Sequence, residues 1–239
     1  MKQRLDIILT ERGLAMARNQ AKQMIMAGEV TVDGSVALKP GGLVDEGASV
    51  EVAERERYVS RAGDKLASVA AAFGLDFDGK TVLDVGSSTG GFTDYALRHG
   101  AARAYCVDVG SNQLSPAIRA DNRVIVMERT DIRDAVLPQL ADMAVMDVSF
   151  ISSTKVLEAA AALVKPGGRI VVMLKPQFEA GKAIVSKYGA VIPVGAIRDE
   201  ILAKFREWAT ERFEIMAEKD SALPGGEGNV ERFFLLIAK

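Results

Sequence analysis

The sequence predicts an α/β protein in two parts, a doubly wound and mostly parallel sheet preceded by a small α+β module. Three observations carry that expectation. From Thr81 onward, short apolar, β-branched runs alternate with stretches of helical spacing, the pattern of strands joined by crossover helices. The first of these runs, Thr81 to Val85, stops at a Gly/Ser/Thr-rich turn, Gly86-Ser87-Ser88-Thr89-Gly90-Gly91, before a helical stretch. A strand, a glycine turn and a helix open a doubly wound sheet, whose ligands bind outside the carboxyl ends of its strands. The first 52 residues read differently, with two short helical stretches and very short β-branched runs around an Asp33-Gly34 turn signal.

In the N-terminal module, Arg4 to Thr10 spaces Leu5, Ile8 and Leu9 along one side of a helix. Ala17 to Ala27 does the same with Ala21, Met24 and Ile25 before Gly28 ends it. Val30-Thr31-Val32 and Ser35-Val36-Ala37 flank Asp33-Gly34 as a hairpin with a type I′ turn. Pro40-Gly41-Gly42 marks another turn, and Ser49 to Val52 alternates as a final strand. Lys2, Arg4, Arg12, Arg18, Lys22 and Lys39 make the module mildly basic, which by itself describes any solvated helix face. The segment RLDIILTERGLAMARNQAKQMIMAGEVTVDG, however, resembles the RNA-binding domain of small-subunit ribosomal protein S4, over residues 3 to 52. Arg18 matches that family's arginine at the second helix start, and Gly28, Val30, Val32 and Gly34 match its Gly-x-Val-x-Val-x-Gly hairpin. The resemblance implies structured RNA held by shape and phosphate contacts, with Arg4, Arg18, Lys22 and Lys39 as contacts. The charged AERER segment, 53–57, reads as a break, so the expected division is 1–53, a linker at 54–60, and 61–239.

In the longer part, Tyr58 to Leu75 holds a helix from about Ala62, with Leu66, Val69, Ala70 and Phe73 on its buried face and Arg61 and Lys65 off it. Phe92 to Arg98 is a helix that stops at His99-Gly100, and Ala102 to Val107 is a second strand ending in Asp108. Gln113 to Arg119 reads as a helix, and Val124 to Met127 as a third strand, followed by Thr130-Asp131. Asp142 to Met146 is the fourth strand, running into Asp147-Val148-Ser149-Phe150, and Ser152 caps a helix to Val164. Lys165-Pro166-Gly167-Gly168 is a turn, and Arg169 to Leu174 is the fifth strand, ending at Lys175-Pro176. Gly181 to Pro193 reads as a long loop with Lys182 and Lys187, a lid or an RNA contact. Gly195 to Thr210 is a helix in which Trp208 packs, and Phe213 to Ala217 is a sixth strand. Pro224 to Asn229 is a tight loop, and Glu231 to Ala238 is the last strand, an antiparallel partner.

Composition narrows the chemistry. The chain has 239 residues, 49% of them apolar, which suits one medium α/β domain with an appendage. It lacks a run of roughly 20 apolar residues and a signal-peptide core, so a cytoplasmic protein is expected. A single cysteine, Cys106, excludes an internal disulfide and a cysteine-cluster zinc site, and its place inside a strand suggests a buried structural thiol. A single histidine, His99, removes serine–histidine and cysteine–histidine hydrolysis and multi-histidine metal sites. A net charge of −2 means that nucleic-acid binding must come from a local basic face.

At the glycine turn, Gly86 and Gly90 let the backbone approach a ligand closely. Asp108, roughly 20 residues beyond the turn, is placed to accept hydrogen bonds from ribose hydroxyls. The pattern Gly-x-Ser-Thr-Gly-Gly lacks the glycine spacing that brings a helix to a pyrophosphate, and the Asp84 carboxylate suits an ammonium group. S-adenosylmethionine is therefore expected over NAD. Its expected contacts are Asp84, Gly86, Ser87, Ser88, Thr89, Gly90, Phe92, Asp108, Val109 and Asp131. Asp84, Asp108, Asp147 and Lys175 all fall at carboxyl ends of strands, on one edge of the sheet. A partly desolvated lysine beside a carboxylate can act on a hydroxyl proton.

YVSRAGDKL, VLDVGSSTGGFTD, VDVGSNQL, DVSFIS, LKPQFEAG and GNVERFF together resemble the hemolysin-A-type (TlyA) ribosomal RNA 2′-O-methyltransferases, over essentially the whole chain. That family joins an S4-like domain to an FtsJ-like catalytic domain with a Rossmann-like methyltransferase sheet. The resemblance implies a Lys-Asp-Lys-Glu tetrad at Lys65, Asp147, Lys175 and Glu231, S-adenosyl-L-methionine as donor and ribosomal RNA or ribosomal subunits as partner; the lysine-bearing loop adds Lys182 as an expected RNA contact. No metal and no membrane partner are expected, and monomer and homodimer both stay open. The family more often has Arg-Gly-Gly before its first lysine, where this chain has Arg61-Ala62-Gly63-Asp64. An Arg-x-Trp-Val segment found in family members is replaced here by Arg57-Tyr58-Val59-Ser60. An RNA-binding assembly factor with weak or lost transferase activity, and a membrane-acting hemolysin, are the competing readings.

Overall fold

The structure, a computed structural model, describes residues 2–15, 17–26, 28–52, 58–225 and 228–239. It divides into two compact units, Met1–Glu56 and Arg57–Lys239. Most of the linker expected at 54–60 lies outside the described residues.

In the first unit the chain runs β1 (Lys2–Arg4), α1 (Leu5–Glu11), α2 (Arg18–Met26), β2 (Val30–Val32), β3 (Ser35–Val36), β4 (Leu43–Asp45) and β5 (Val50–Val52). Leu5, Ile8 and Leu9 of α1 pack on Ala21, Met24 and Ile25 of α2 and on Val30, which is the small core the helical spacing predicts. Asp33 and Gly34 both adopt positive φ, 50° and 79°, as a type I′ turn requires. The antiparallel pair of β1 with β4 is not foreseen in the sequence. Lys2-Gln3-Arg4 carries no apolar alternation, and its pairing is set by a partner forty residues away in the chain.

The second unit contains α3 (Arg61–Ala70), β6 (Thr81–Val85), α4 (Gly91–Arg98), β7 (Arg103–Asp108), α5 (Pro116–Arg119), β8 (Val124–Glu128) and β9 (Ala141–Met146). A 3₁₀ turn (Ser153–Lys155), α6 (Leu157–Ala162), β10 (Val164–Leu174), α7 (Pro176–Glu179), α8 (Gly181–Tyr188), α9 (Ala196–Arg212), β11 (Phe213–Asp220) and β12 (Arg232–Ala238) follow. One seven-stranded sheet has the order β11-β12-β10-β9-β6-β7-β8. Its strands β6 to β10 are parallel neighbours, and β12 enters antiparallel between β10 and β11. Both faces are covered. Val82, Met143, Val145 and Val171 face α3 and α4, while Leu83, Ala144, Met146, Ile170 and Val172 face α6 and α9. Burial on both faces explains why these strands read as unbroken apolar runs. The chain adds β7 and β8 on one side of β6 and then β9 on the other, so a crevice opens where β6 and β9 end.

Four sequence expectations are corrected. The helix expected over Gln113–Arg119 is only Pro116–Arg119, because a residue before proline avoids the helical region, and Ser115 is extended and caps the turn instead. The helix expected from Ser152 to Val164 is a 3₁₀ turn followed by Leu157–Ala162, and Val164 already pairs with Ala141 as strand. The loop expected over Gly181–Pro193 begins with the helix α8, closed by Gly189 at φ +77°. Glycines at both ends of GKAIVSKY read as loop signals, although nothing between them breaks a helix. Lys65, placed off the buried face of its helix, is buried. His99 follows the last turn of α4, its Nδ1 2.7 Å from Tyr95 O, and Cys106 is buried in β7.

Candidate active site

Gly86 leaves β6 at φ +78°, and a Cβ on it would lie 2.6 Å from the backbone oxygen of Asp147. Only glycine lets the turn after β6 lie this close to the exit of β9. Just inside, the Asp84 carboxyl accepts hydrogen bonds at Oδ2 from Thr93 N (3.0 Å) and Thr93 Oγ1 (2.6 Å). Its other oxygen, Oδ1, is buried and has no hydrogen-bond partner among the described residues. Burial pushes the Asp84 carboxyl up to about 7; Thr93 opposes that shift, and the charges of Asp147 and Asp108 add to it. An orphaned carboxylate oxygen of this kind fits a cationic ligand group.

Asp108 closes β7. Its carboxylate accepts from Ser88 N (2.8 Å) and Gly110 N (2.7 Å), which fixes its orientation and leaves lone pairs for a ligand's hydroxyls. Asp108, Val109, Asp131, Ser149 and Phe150 line a cavity of about 300 Å³, together with Gly86, Ser88 and Asp147. A smaller cavity of about 90 Å³ is lined by Asp84, Ser87, Thr89 and Phe92 and shares Gly86, Ser88 and Asp147. Gly90 lines neither and instead starts α4 at φ +91°. Asp131 is tied to Arg133, whose guanidinium holds the carboxyl down to about 2. Two chambers with a common wall, an orphan carboxylate oxygen and an oriented carboxylate suit an elongated ligand with a cationic end and a sugar.

Among the described residues of this unit, two lysine–carboxylate pairs are largely buried. Lys175 follows β10 and Asp147 follows the neighbouring parallel strand β9, so their side chains meet, Nζ to Oδ1 2.6 Å. Lys175 Nζ also donates to Ser149 Oγ at 2.7 Å. Lys65 Nζ pairs with Glu231 Oε2 at 2.5 Å, with only 9% and 3% of the two side chains exposed. Lys65 can be buried because Glu231 supplies the opposite charge inside. Asp64 is the next residue on the same helix, where successive side chains do not face each other, and Glu231 is the ion-pair partner. The backbone of Glu231 is fixed by Ser221 N donating to its oxygen (3.0 Å) and by Arg198 Nε donating to Val230 O (3.0 Å).

Of the expected RNA contacts, Arg4 and Arg18 both donate to Asp6, which is fully buried. Lys22 is half-buried and Lys39 exposed, and the Lys182 side chain lies outside the described residues. Sequence reasoning missed Asp6, Thr93 and Ser149. It also missed Ser60 and Ala62, which line the smaller cavity. Ser60 and Ala62 stand in the quoted YVSRAGDKL segment, the one signal that pointed to them. Among the described residues, no helix is long and apolar enough to cross a membrane, and no group of His, Cys, Asp and Glu is arranged to hold a metal ion.

Comparison with known proteins places this geometry in a family setting. The FtsJ-like methyltransferase model matches residues 58–239, and the S4 domain model matches residues 3–50. The chain is 42% identical to the candidate rRNA methyltransferase YqxC of Bacillus subtilis, covering 98% of this chain and 85% of that protein. It is 40% identical to the 16S/23S rRNA (cytidine-2′-O)-methyltransferase TlyA of Mycobacterium tuberculosis, over 98% of this chain and 89% of that one. Among solved structures, a candidate hemolysin from Streptococcus thermophilus superposes with a TM-score of 0.74 at 36% identity, covering all of this chain and 89% of that one.

Proposed function

The chain belongs to the FtsJ-like methyltransferase family and carries an S4 domain, and from that premise we propose that it methylates a ribose 2′-hydroxyl of ribosomal RNA with S-adenosylmethionine as donor. The observation that carries the proposal is the Lys175–Asp147 pair, held at 2.6 Å where β9 and β10 end, with Asp147 in the wall of both cavities. In this reading the unpaired Oδ1 of Asp84 holds the donor's ammonium group, and Asp108 accepts its ribose hydroxyls. The larger cavity, with Val109, Asp131 and Ile132 in its wall, takes the adenosine part.

When bound, the donor supplies a methyl group already activated by its sulfonium. The protein's work is then to orient the ribose hydroxyl in line with that methyl and to remove the hydroxyl proton. Lys175, having first released its own ammonium proton to water, takes the hydroxyl proton at Nζ as a neutral amine, with Asp147 and Ser149 holding the amine in place. Lys65 stabilises negative charge developing on the oxygen, and Glu231 keeps Lys65 in place. No group in this scheme requires a metal.

The domain division expected at residues 53 to 61 serves the same reading: the S4 unit captures ribosomal RNA or a ribosomal subunit, with Arg4, Arg18, Lys22 and Lys39 contacting phosphates and Lys182 contributing from the second unit. The name of the Mycobacterium tuberculosis relative supports a cytidine as the target nucleoside. A ribosomal substrate supports a cytoplasmic place of work. The test is transfer of tritium from labelled S-adenosylmethionine to ribosomal subunits, with 2′-O-methyl positions mapped in their RNA. A site-specific 2′-O-methyl is expected. Folded, donor-binding protein that leaves every rRNA ribose unmodified would overturn the proposal.

A further inference from the structure

Glu179 ends α7, four residues after Lys175 and about one helical turn away. Its carboxylate reaches across to the segment that leaves β9. Oε2 accepts from Ser152 Oγ at 2.5 Å, and Oε1 accepts from the Ser153 N–H at 2.7 Å. Ser153 opens the 3₁₀ turn, where the first N–H groups have no partner within the turn. At the other end of the same segment, Asp147 Oδ1 lies 2.6 Å from Lys175 Nζ, and Ser149 Oγ accepts from it at 2.7 Å. Segments 147–153 and 175–179 are thus tied together at both ends. Between the two ties Phe150 stands at φ +65° with 91% of its surface exposed. A bulky residue in the left-handed region is disfavoured, so backbone preference does not hold this segment in shape. The ties at its ends do, aided by contact of the Phe150 ring with that of Phe178 at 5.2 Å.

We propose that Glu179 is a positioning residue for methyl transfer: by holding Ser152 and Ser153 it fixes the segment whose Asp147 and Ser149 orient the Lys175 amine. The inference rests on the transferase reading of this site. Both carboxylate oxygens of Glu179 are engaged by Ser152 and Ser153, so its effect passes through the residues it holds. A residue with only a structural role would change stability without separating donor binding from the chemical step. A positioning residue changes the rate of that step, because small misplacements of reacting groups are costly.

The experiment compares the full-length wild type with Glu179→Ala and Glu179→Gln in single-turnover methyl transfer at saturating RNA and donor. Donor affinity is measured by calorimetry, and amide exchange is followed over residues 148–154. Glu179→Ala is expected to lower the single-turnover rate by about 10–100-fold while donor affinity changes less than about threefold. Glu179→Gln keeps an oxygen for the Ser153 N–H and an amide that the Ser152 hydroxyl can bond, so it should recover the rate to within about fivefold. Exchange at Ser153 should speed up in the alanine variant and not in the glutamine variant. A wild-type rate in Glu179→Ala, or a loss that glutamine does not recover, would overturn the proposal. If the wild type itself transferred no methyl group, the transferase reading would fall, and unchanged exchange in Glu179→Ala would separately show that Glu179 holds nothing.

Discussion

In the N-terminal unit only the acid of the main charge cluster is buried: Asp6 is inaccessible, while Arg4 and Arg18 keep 44% and 55% of their side chains exposed. In the C-terminal unit the Lys65–Glu231 pair is buried on both sides, and Lys175 with Asp147 is nearly so, at 14% and 18%. The contrast separates two uses of a cation. An arginine anchored from behind by a buried acid still presents free N–H groups outward, where a phosphate of variable position can meet them. A lysine buried with its acid cannot reach a mobile polyanion, yet it is held at one point in a medium where charge acts more strongly. The first arrangement suits capture of RNA, and the second suits one reacting atom.

The largest effect that could break this contrast lies at Lys175. Lys175→Ala should lower single-turnover methyl transfer by about 10²–10⁴-fold with donor affinity near wild type, since general-base catalysis contributes on that scale. Lys175→Arg should fail equally, because a guanidinium does not give up its proton. Wild-type transfer by folded Lys175→Ala protein would remove the lysine from the chemistry.

Next in size is stability. Lys65→Ala leaves Glu231 buried and unpaired and should destabilise the fold by about 3–5 kcal/mol in urea titrations. Arg18→Ala removes an exposed partner and should cost about 0–1 kcal/mol. Equal losses in the two variants would erase the distinction between the units.

Two of the buried acids, Asp84 and Asp6, also predict opposite responses to pH. Asp84 has its folded-state pKa raised, to about 7, so the stability it contributes is full below its unfolded value and is lost as pH rises through 7. Asp6 has its pKa lowered to about 2, chiefly by its hydrogen bond to Arg4, so its contribution is present above its unfolded value and lost as pH falls toward 2. If the ionised Asp84 receives the donor's ammonium group, the donor should bind up to about tenfold more tightly at pH 8 than at pH 6. Calorimetry should show proton release on binding at pH 6, and Asp84→Asn should abolish it. Donor affinity independent of pH in the wild type would count against Asp84 as the ammonium site.

The smallest effect is the sharpest for the N-terminal unit. Asp6→Asn makes the protein more positive, so bulk electrostatics predicts tighter RNA binding. If Asp6 instead arranges Arg4 and Arg18, the variant should bind RNA about two- to fivefold more weakly, with a shallower dependence on salt. A gain in affinity would show that the two arginines are restrained by Asp6 and not arranged by it.

How much of this was legible depended on how local each feature is. The parallel strands could be read from sequence because burial on both faces leaves unbroken apolar runs such as VVML before Lys175. Asp108, Asp147 and Lys175 could be placed for the same reason, since the end of such a run is the end of a strand. The helix α8 was hidden by its flanking glycines, and β1 by the absence of any pattern in its three residues. Lys65 was misplaced because apolar spacing assigns every charge to the outer face of a helix.

By itself the sequence determined the order of elements, the glycine turn after β6 and the charged residues at the strand ends, all of which depend on a few adjacent residues. Only the tertiary structure decided which charges meet. Lys65 finds Glu231 across 166 positions of chain, and Glu179 finds Ser153 across 26. It also decided which oxygen of Asp84 stays unpaired and which acid shifts up or down in pKa. Burial and partnership are set by the packing of distant segments. The cost or benefit of a charge follows from that packing and not from its neighbours in sequence.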